Sequence, residues 1–187
     1  MQLNKGFITS KIGVNKMDIK PAIGDYPAYY ANYINLVDEG SLQEILLKQL
    51  EEMTAMISHV NEEQANYRYA EGKWTLKEVI GHITDTERIM AYRLLRFARG
   101  DQTALAGYDD NSYVLEAAFH SRSISNLLEE FTAVRHSTIS LIKNLPEKSW
   151  NKKGIANNGE ISVVALAYII AGHELHHRRI IEEKYLI

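Results

Sequence analysis

Four long stretches of the chain carry apolar residues at helical spacing, and this pattern constrains the fold more than any other feature. Within each stretch an apolar side chain recurs every three or four positions, which indicates a helix with one buried face. The stretches cover residues 42–60, 76–97 and 124–145, and a fourth begins near Ser162 and continues almost to the C-terminus. Each has about twenty residues or more and is therefore roughly 30 Å long, which suits side-by-side packing. The sequence predicts an all-α fold, a four-helix bundle.

Local signals mark where these helices begin and end. Ser41 with Glu44, and Thr75 with Glu78, have the spacing of a capping box, in which each side chain accepts a hydrogen bond from the other residue's backbone N–H. Gly100 is expected to end the second helix, because glycine readily takes the left-handed backbone conformation that follows a helix. The predicted starts of the first two helices therefore coincide with the starts of their apolar stripes.

The connections carry turn-forming residues. Residues 101–111 are predicted to be a loop, followed by a short helix around residues 113–119, and Asn157-Asn158-Gly159 is predicted to be a turn. No segment shows the apolar alternation of a β-strand. We therefore expect no sheet.

The bulk composition is that of an ordinary globular protein. With 187 residues, 45% of them hydrophobic and 24% charged, the chain is most simply one domain with a substantial core. A net charge of −3 gives no general attraction for nucleic acid or an anionic membrane. The longest apolar run, residues 161–171, is too short to span a bilayer, and no secretory signal is visible. We expect a cytoplasmic protein with neither nucleic acid nor membrane as a partner.

Residues 1–16 show no amphipathic period and precede a second methionine, Met17. We interpret them as an N-terminal extension, either disordered or upstream of the true start. The bundle domain is assigned to residues 17–187.

The chain contains no cysteine. This excludes disulfides, thiolate metal ligands and a cysteine nucleophile. Any metal must be held by nitrogen and oxygen, and any thiol chemistry must use a thiol from outside the protein.

The segment GHELHH, residues 172–177, is the strongest chemical motif. His173 and His177 are one helical turn apart and fall inside the apolar stripe of the fourth helix, whereas His176 falls to one side and Glu174 to the other edge. Two imidazoles that face a core need partners for their ring nitrogens. They are either core histidines bonded to neighbouring polar groups or a pair spaced to chelate a metal.

The motif also fits the His-Glu-x-x-His pattern of zinc proteases, but its context does not. Those enzymes take their third ligand from downstream, and only residues 178–187 follow His177. A diiron site is also weakly supported. Such a site needs two Glu-x-x-His copies plus two further glutamates, and the chain has one copy.

A third ligand must therefore come from upstream. His82, early in the second helix and on the flank of its apolar stripe, is the best candidate. The remaining histidines are less well placed: His59 near a helix end, His120 before a helix start, and His136 opposite an apolar face.

With one early histidine and a late His-x-x-x-His on a four-helix bundle, the sequence resembles the DinB/YfiT-like superfamily of metal-binding bundle proteins. The matching segments are 67–101 (YRYAEGKWTLKEVIGHITDTERIMAYRLLRFARGD), 127–145, 165–181 and the start at 19–37. The resemblance implies that His82, His173 and His177 bind a divalent metal. It also implies a bundle with a long crossover connection, and a homodimer.

Relatives in this superfamily include S-transferases and isomerases that use bacillithiol, mycothiol or glutathione, and proteins labelled metal-dependent hydrolases. The resemblance thus implies a metal-dependent enzyme acting on a small-molecule substrate, either transferring a low-molecular-weight thiol to an electrophile or hydrolysing its substrate. A non-enzymatic metal-binding or interaction module is the third hypothesis. Three neutral imidazoles leave an ion's charge undiminished and a coordination position open, where a water is acidified or a thiol deprotonated. Zinc and nickel both suit such ligands.

Several other polar and aromatic residues stand out. Glu87 and Arg135 interrupt apolar stripes on the second and third helices, and because a buried unpaired charge is costly we expect them to pair with each other or with the site. They are the candidates for a catalytic role beside the metal, against the alternative of a structural ion pair. Gln49 is a weaker case of the same kind. Three arginines near a helix C-terminus are expected to be surface charge, namely Arg93, Arg96 and Arg99. Three aromatic residues are expected in buried packing, with a pocket at the mouth of the bundle as the alternative, namely Tyr67, Tyr69 and Trp74.

Overall fold

The structure, a computed structural model, describes residues 16–186. The predicted N-terminal extension therefore lies outside the described residues, apart from Lys16. The described part contains seven α-helices, namely α1 (Ala31–Ile34), α2 (Leu42–Ile57), α3 (Glu62–Ala65), α4 (Leu76–Ala98), α5 (Asp110–Ala117), α6 (Ile124–Lys143) and α7 (Val163–Lys184). It also contains two strands, β1 (Lys153–Ala156) and β2 (Gly159–Ser162).

The four long helices form the predicted bundle. Helix α4 packs against α6 and α7, and α2 packs against the same two helices, so α2 and α4 occupy opposite corners. Two apolar clusters fill the interior, one dominated by α7 and the other by the first halves of α4 and α6. The connection between α4 and α6, residues 99–123, is long and carries α5, which packs on α4. Within residues 16–186 no helix is both long and apolar enough to cross a bilayer.

One of the two predicted capping boxes forms. At the start of α4, the Thr75 side chain accepts from the Glu78 backbone N–H at 3.2 Å, and the Glu78 carboxylate accepts from the Thr75 N–H at 2.7 Å. At the start of α2 the prediction is wrong, because the Ser41 side chain makes no capping bond. Instead Asp18, from the preceding segment, accepts from the Leu42 N–H at 3.0 Å and so satisfies one of the free donors of that terminus.

A β-hairpin precedes α7 and was not predicted. Strands β1 and β2 pair antiparallel, with Ala156 opposite Gly159. The two residues between them, Asn157 and Asn158, have φ of 49° and 61°, as a type I′ hairpin turn requires. The predicted turn is confirmed. The strands escaped prediction because each has only four residues and neither shows clear apolar alternation.

Candidate metal centre

Three histidines converge between α4 and α7. His82 comes from the first half of α4, and His173 and His177 from successive turns of α7. One ring nitrogen of each lies within 4.8 Å of the others, and Nε2 of His82 is 3.1 Å from Nε2 of His173. Their exposed fractions are 6%, 5% and 9%. The structure thus brings together the three histidines that the sequence singled out.

Glycines beside two of these histidines allow close packing. A Cβ added to Gly172 would lie 2.1 Å from the backbone oxygen of Tyr33, so only glycine lets α1 approach α7 at this point. Tyr33 then packs edge-on against His173, with ring centroids 5.3 Å apart. Next to His82, an added Cβ on Gly81 would lie 2.4 Å from the Phe119 ring. Both contacts hold the helix segments that carry the imidazoles.

All three imidazoles are biased toward the neutral form. Burial lowers the pKa of His82, lowers that of His173 well below its usual value, and lowers that of His177 to about 3. The neighbouring imidazoles add to this effect for His173 and His177, whereas the Asp110 carboxylate opposes it for His82. Near neutral pH each ring therefore retains a nitrogen lone pair that can bind a metal.

The arrangement fits a divalent metal ion. Two nitrogens bound at about 2.0–2.1 Å to one tetrahedral ion lie roughly 3.3 Å apart, close to the 3.1 Å between His82 and His173. The other nitrogen of His82, Nδ1, faces a carboxylate oxygen of Asp110 at 3.9 Å. A carboxylate on that side favours the tautomer with the proton on Nδ1, which leaves the Nε2 lone pair directed at the other two histidines.

The other histidines stay outside this cluster. His176 is half-buried and packs edge-on against Tyr33 and His177, with centroid distances of 5.3 and 5.0 Å. Three more are exposed, at positions where the sequence predicted no ligand role: His59, His120 and His136.

Glu174, the glutamate of the His-Glu-x-x-His motif, is completely buried. This differs from the position at the edge of the stripe that the helical wheel indicated. Among the described residues neither carboxylate oxygen accepts a hydrogen bond, although Nε of Arg178 is 3.2 Å away. Burial raises the pKa of Glu174 to about 7. It lines neither of the cavities described next, so it is not placed as the general base of a zinc protease.

Two cavities reach the histidines from different sides. The first, about 200 Å³ and called here the tyrosine cavity, is lined by His173 together with Tyr29, Tyr30, Tyr33, Thr86, Met90, Arg93, Tyr108, Asp110, Asn157 and Ile169. The second, about 260 Å³ and called here the tryptophan cavity, is lined by His177 together with Tyr69, Gly72, Lys73, Trp74, Val79, Asn111, Ile180 and Tyr185.

The structure revises the roles expected for the aromatic residues. Trp74 and Tyr69 line the tryptophan cavity, which agrees with the alternative of a pocket rather than with the buried packing that was favoured, and the Trp74 ring lies 4.7 Å from that of His82. Tyr67 is 45% exposed and packs edge-on against Tyr185. Trp74 is therefore a wall of the site.

Arg93 corrects a second expectation. It was predicted to be surface charge, but only 3% of it is exposed and it lines the tyrosine cavity. Its side chain donates to the Ala106 carbonyl at 2.8 Å. The sequence could have indicated that Arg93 lies on the same side of α4 as His82. Arg93 follows His82 by eleven residues, or about three helical turns, and so lies on the same face of the helix.

Glu87 and Arg135 pair in the core, as predicted. Nε of Arg135 donates to both Glu87 carboxylate oxygens at 3.0 Å, and a terminal nitrogen donates at 2.9 Å. Arg135 also donates to the Gln49 side-chain oxygen at 2.8 Å, and the Gln49 amide donates to the Ala171 carbonyl at 2.9 Å. The network joins α2, α4, α6 and α7. Neither Glu87 nor Arg135 lines a cavity at the histidines, which favours a positioning role over contact with a substrate.

Known proteins resemble this chain in sequence or in fold. A protein from Oceanobacillus iheyensis, provisionally named a metal-dependent hydrolase, is 24% identical over 136 residues, which are 70% of this chain and 78% of that protein. YfiT from Bacillus subtilis, described as a probable metal-dependent hydrolase with an unusual four-helix bundle topology, superposes with a TM-score of 0.70 at 16% identity, over 76% of this chain and 82% of its own. A mycothiol-dependent maleylpyruvate isomerase superposes with a TM-score of 0.62 at 11% identity, over 78% of this chain and 61% of its own.

The structural likenesses, at these identities, concern the fold alone. The family assignment rests on the sequence itself, because residues 45–181 match the DinB superfamily. That range includes α4, α6, most of α7 and all three clustered histidines. The chain belongs to the DinB superfamily.

Proposed function

We propose that His82, His173 and His177 bind one divalent metal ion and that this ion is the centre of a metal-dependent enzyme. The observation that carries the proposal is the convergence of three buried, neutral imidazoles at a point that two cavities reach. Three nitrogen ligands with an open position are typical of catalytic sites, whereas structural zinc sites are closed by four protein ligands. Zinc or nickel suits this ligand set.

Such an ion, when bound, lowers the pKa of a thiol or water at its open position and so supplies a nucleophile near neutral pH. The protein's own residues orient the ligands. Asp110 faces Nδ1 of His82, and the Glu87–Arg135–Gln49 network fixes α4 relative to α7. Orientation by such outer contacts affects both metal affinity and activity.

The reaction we favour is the transfer of a low-molecular-weight thiol to an electrophilic substrate. The tyrosine and tryptophan cavities reach the histidines from different sides and so offer a thiol and an electrophile separate approaches to the reacting atoms. The thiol loses its proton to solvent, its sulfur forms a bond to the electrophilic carbon, and the leaving group departs with its bonding electrons. Since the chain has no cysteine, the sulfur must come from a small cosubstrate.

Metal-dependent hydrolysis is the second candidate. It is favoured by the name of the Oceanobacillus iheyensis relative and the description of YfiT. In that case water is the nucleophile, and a single cavity is enough for the substrate.

The test uses protein loaded with cobalt, whose visible spectrum reports on its ligands. If thiol transfer is correct, a small thiol such as 2-mercaptoethanol changes the spectrum and accelerates conjugation of an electrophile, and both effects disappear in His177→Ala. Hydrolysis instead predicts turnover of an ester or amide without thiol, at a rate that rises with pH as the nucleophile ionises. If neither assay responds, the protein is a metal-binding or interaction module and the enzyme proposal is wrong.

A further inference from the structure

Arg93 is a buried cation without a counter-charge. Its exposed fraction is 3%, and within residues 16–186 it forms no ion pair with a carboxylate. The contacts that it does make are to neutral groups, namely the Ala106 carbonyl at 2.8 Å and the Met90 sulfur at 3.7 Å. Its guanidinium also lies 5.8 Å from the centre of the Tyr108 ring. A charge removed from water in this way is strongly unfavourable unless an anion compensates it.

The position of Arg93 links it to the histidines. His82, Thr86, Met90 and Arg93 follow one another at intervals of four, four and three residues and so form a single stripe along α4. The last three line the tyrosine cavity, and His173 closes its other end beside His82. The two ends of the stripe are about 16 Å apart along the helix axis, and an arginine side chain on a helix leans toward the N-terminus, which shortens the gap.

Most of the other polar side chains that line the tyrosine cavity carry hydroxyls. Those of Thr86 and Tyr108 lie 3.0 Å apart on the same cavity wall, and Tyr30 lines the cavity as well. The single acidic residue that lines the cavity is Asp110, whose carboxylate lies 3.9 Å from His82 and close to the Tyr108 hydroxyl. The cavity therefore combines the positive charge of Arg93, which has no carboxylate partner within residues 16–186, with several hydroxyl groups that can donate hydrogen bonds.

We propose that the tyrosine cavity binds the carboxylate of an acidic small-molecule substrate through Arg93, and so holds the reacting end of that molecule at the three histidines. A carboxylate fits because a guanidinium binds it with two parallel N–H donors. The inference rests on the proposed function and adds the substrate class to it. The substrate is a small molecule with a carboxylate several bonds away from its reacting atom.

The test compares matched thiols on the cobalt-loaded, full-length protein. Mercaptocarboxylates of increasing length are titrated against mercaptoalcohols of the same length, and binding is followed in the visible spectrum. At the best length the carboxylate should bind about tenfold or more tightly than the alcohol, as expected for a charge-assisted hydrogen bond. That advantage should disappear in Arg93→Gln and be partly kept in Arg93→Lys, while the affinity for the alcohol stays the same.

Arg99→Gln is the matched control, because it removes the same charge from an exposed position just after α4. Its preference for the carboxylate should equal that of the parent. An unchanged preference in Arg93→Gln, or an equal loss in Arg99→Gln, would overturn the proposal.

Failure of the proposed function gives a different result. If no thiol alters the cobalt spectrum, the carboxylate site is tested without thiol chemistry. Calorimetry then compares the binding of glutarate with that of the matched neutral diamide. Binding of glutarate that requires Arg93 supports the carboxylate site even then. Binding that is absent, or equal for glutarate and the diamide, rejects it.

Discussion

The Glu87–Arg135 ion pair should be strongly coupled energetically. Arg135 is completely buried, Glu87 is 3% exposed, and three nitrogen–oxygen contacts of 2.9–3.0 Å join them. Removing one partner leaves the other as an uncompensated buried charge, so Glu87→Gln and Arg135→Met should each lower the free energy of unfolding by about 3–5 kcal/mol. The double variant leaves no orphaned charge and should lose about 2–3 kcal/mol less than the sum of the two single losses.

The measurement is urea unfolding of the parent, both single variants and the double variant, all at one pH and metal-free. A control lies on the same two helices, where Arg88 of α4 and Glu130 of α6 form a partly exposed pair, with side chains 45% and 24% exposed and a nitrogen–oxygen distance of 2.7 Å. Exposed pairs are screened by water, so the same cycle there should give a coupling of about 1 kcal/mol or less. Additive losses at Glu87 and Arg135 would refute the reasoning.

Four further predictions concern Glu174, His177 and Gly172. Glu174→Gln should bind as much metal as the parent, because Glu174 is not one of the three proposed ligands. A lower measured metal content would indicate that Glu174 is a ligand. The same variant should become more stable relative to the parent as pH rises. Because the pKa of Glu174 is about 7 in the folded protein and 4.5 in the unfolded chain, the parent's free energy of unfolding should fall by about 3 kcal/mol between pH 4.5 and pH 7. In metal-free protein His177 has the opposite effect, because its folded pKa of about 3 lies below the usual 6.5. Its contribution to the free energy of unfolding should therefore fall by about 1.4 kcal/mol for each pH unit below about 6.5. Acid titration of unfolding should therefore be shallower in His177→Ala than in the parent. Gly172→Ala should lower stability and metal affinity together, since the new methyl group would meet the Tyr33 backbone, and a thermal melt with unchanged Tm would contradict this.

The bundle and the histidine cluster could be predicted because both depend on helical periodicity. Long apolar stripes fix which face of a helix is buried, and His173 and His177 lie on such a face one turn apart. Position on a stripe also predicted the burial of Glu87 and Arg135. His82 was the best-placed upstream histidine because it lies on the flank of a stripe, and the family resemblance then implied that all three bind one metal.

What could not be predicted depends on contacts between distant segments. Asp18 replaces the Ser41 cap because the preceding segment folds back onto the start of α2. Glu174 is buried because α7 is surrounded on nearly every side, which a single apolar stripe does not reveal. Arg93 looked like surface charge because the connection that covers it, with Ala106 and Tyr108, has no periodic pattern.

The most direct test of the central proposal is the metal content of single histidine variants. Purified parent protein, His82→Ala, His173→Ala, His177→Ala and the control His176→Ala are loaded with zinc or nickel, freed of excess metal and assayed. The proposed centre predicts one equivalent of metal in the parent and in His176→Ala, and loss of most of it in each of the other three. A full equivalent of metal in His82→Ala would contradict the three-histidine centre.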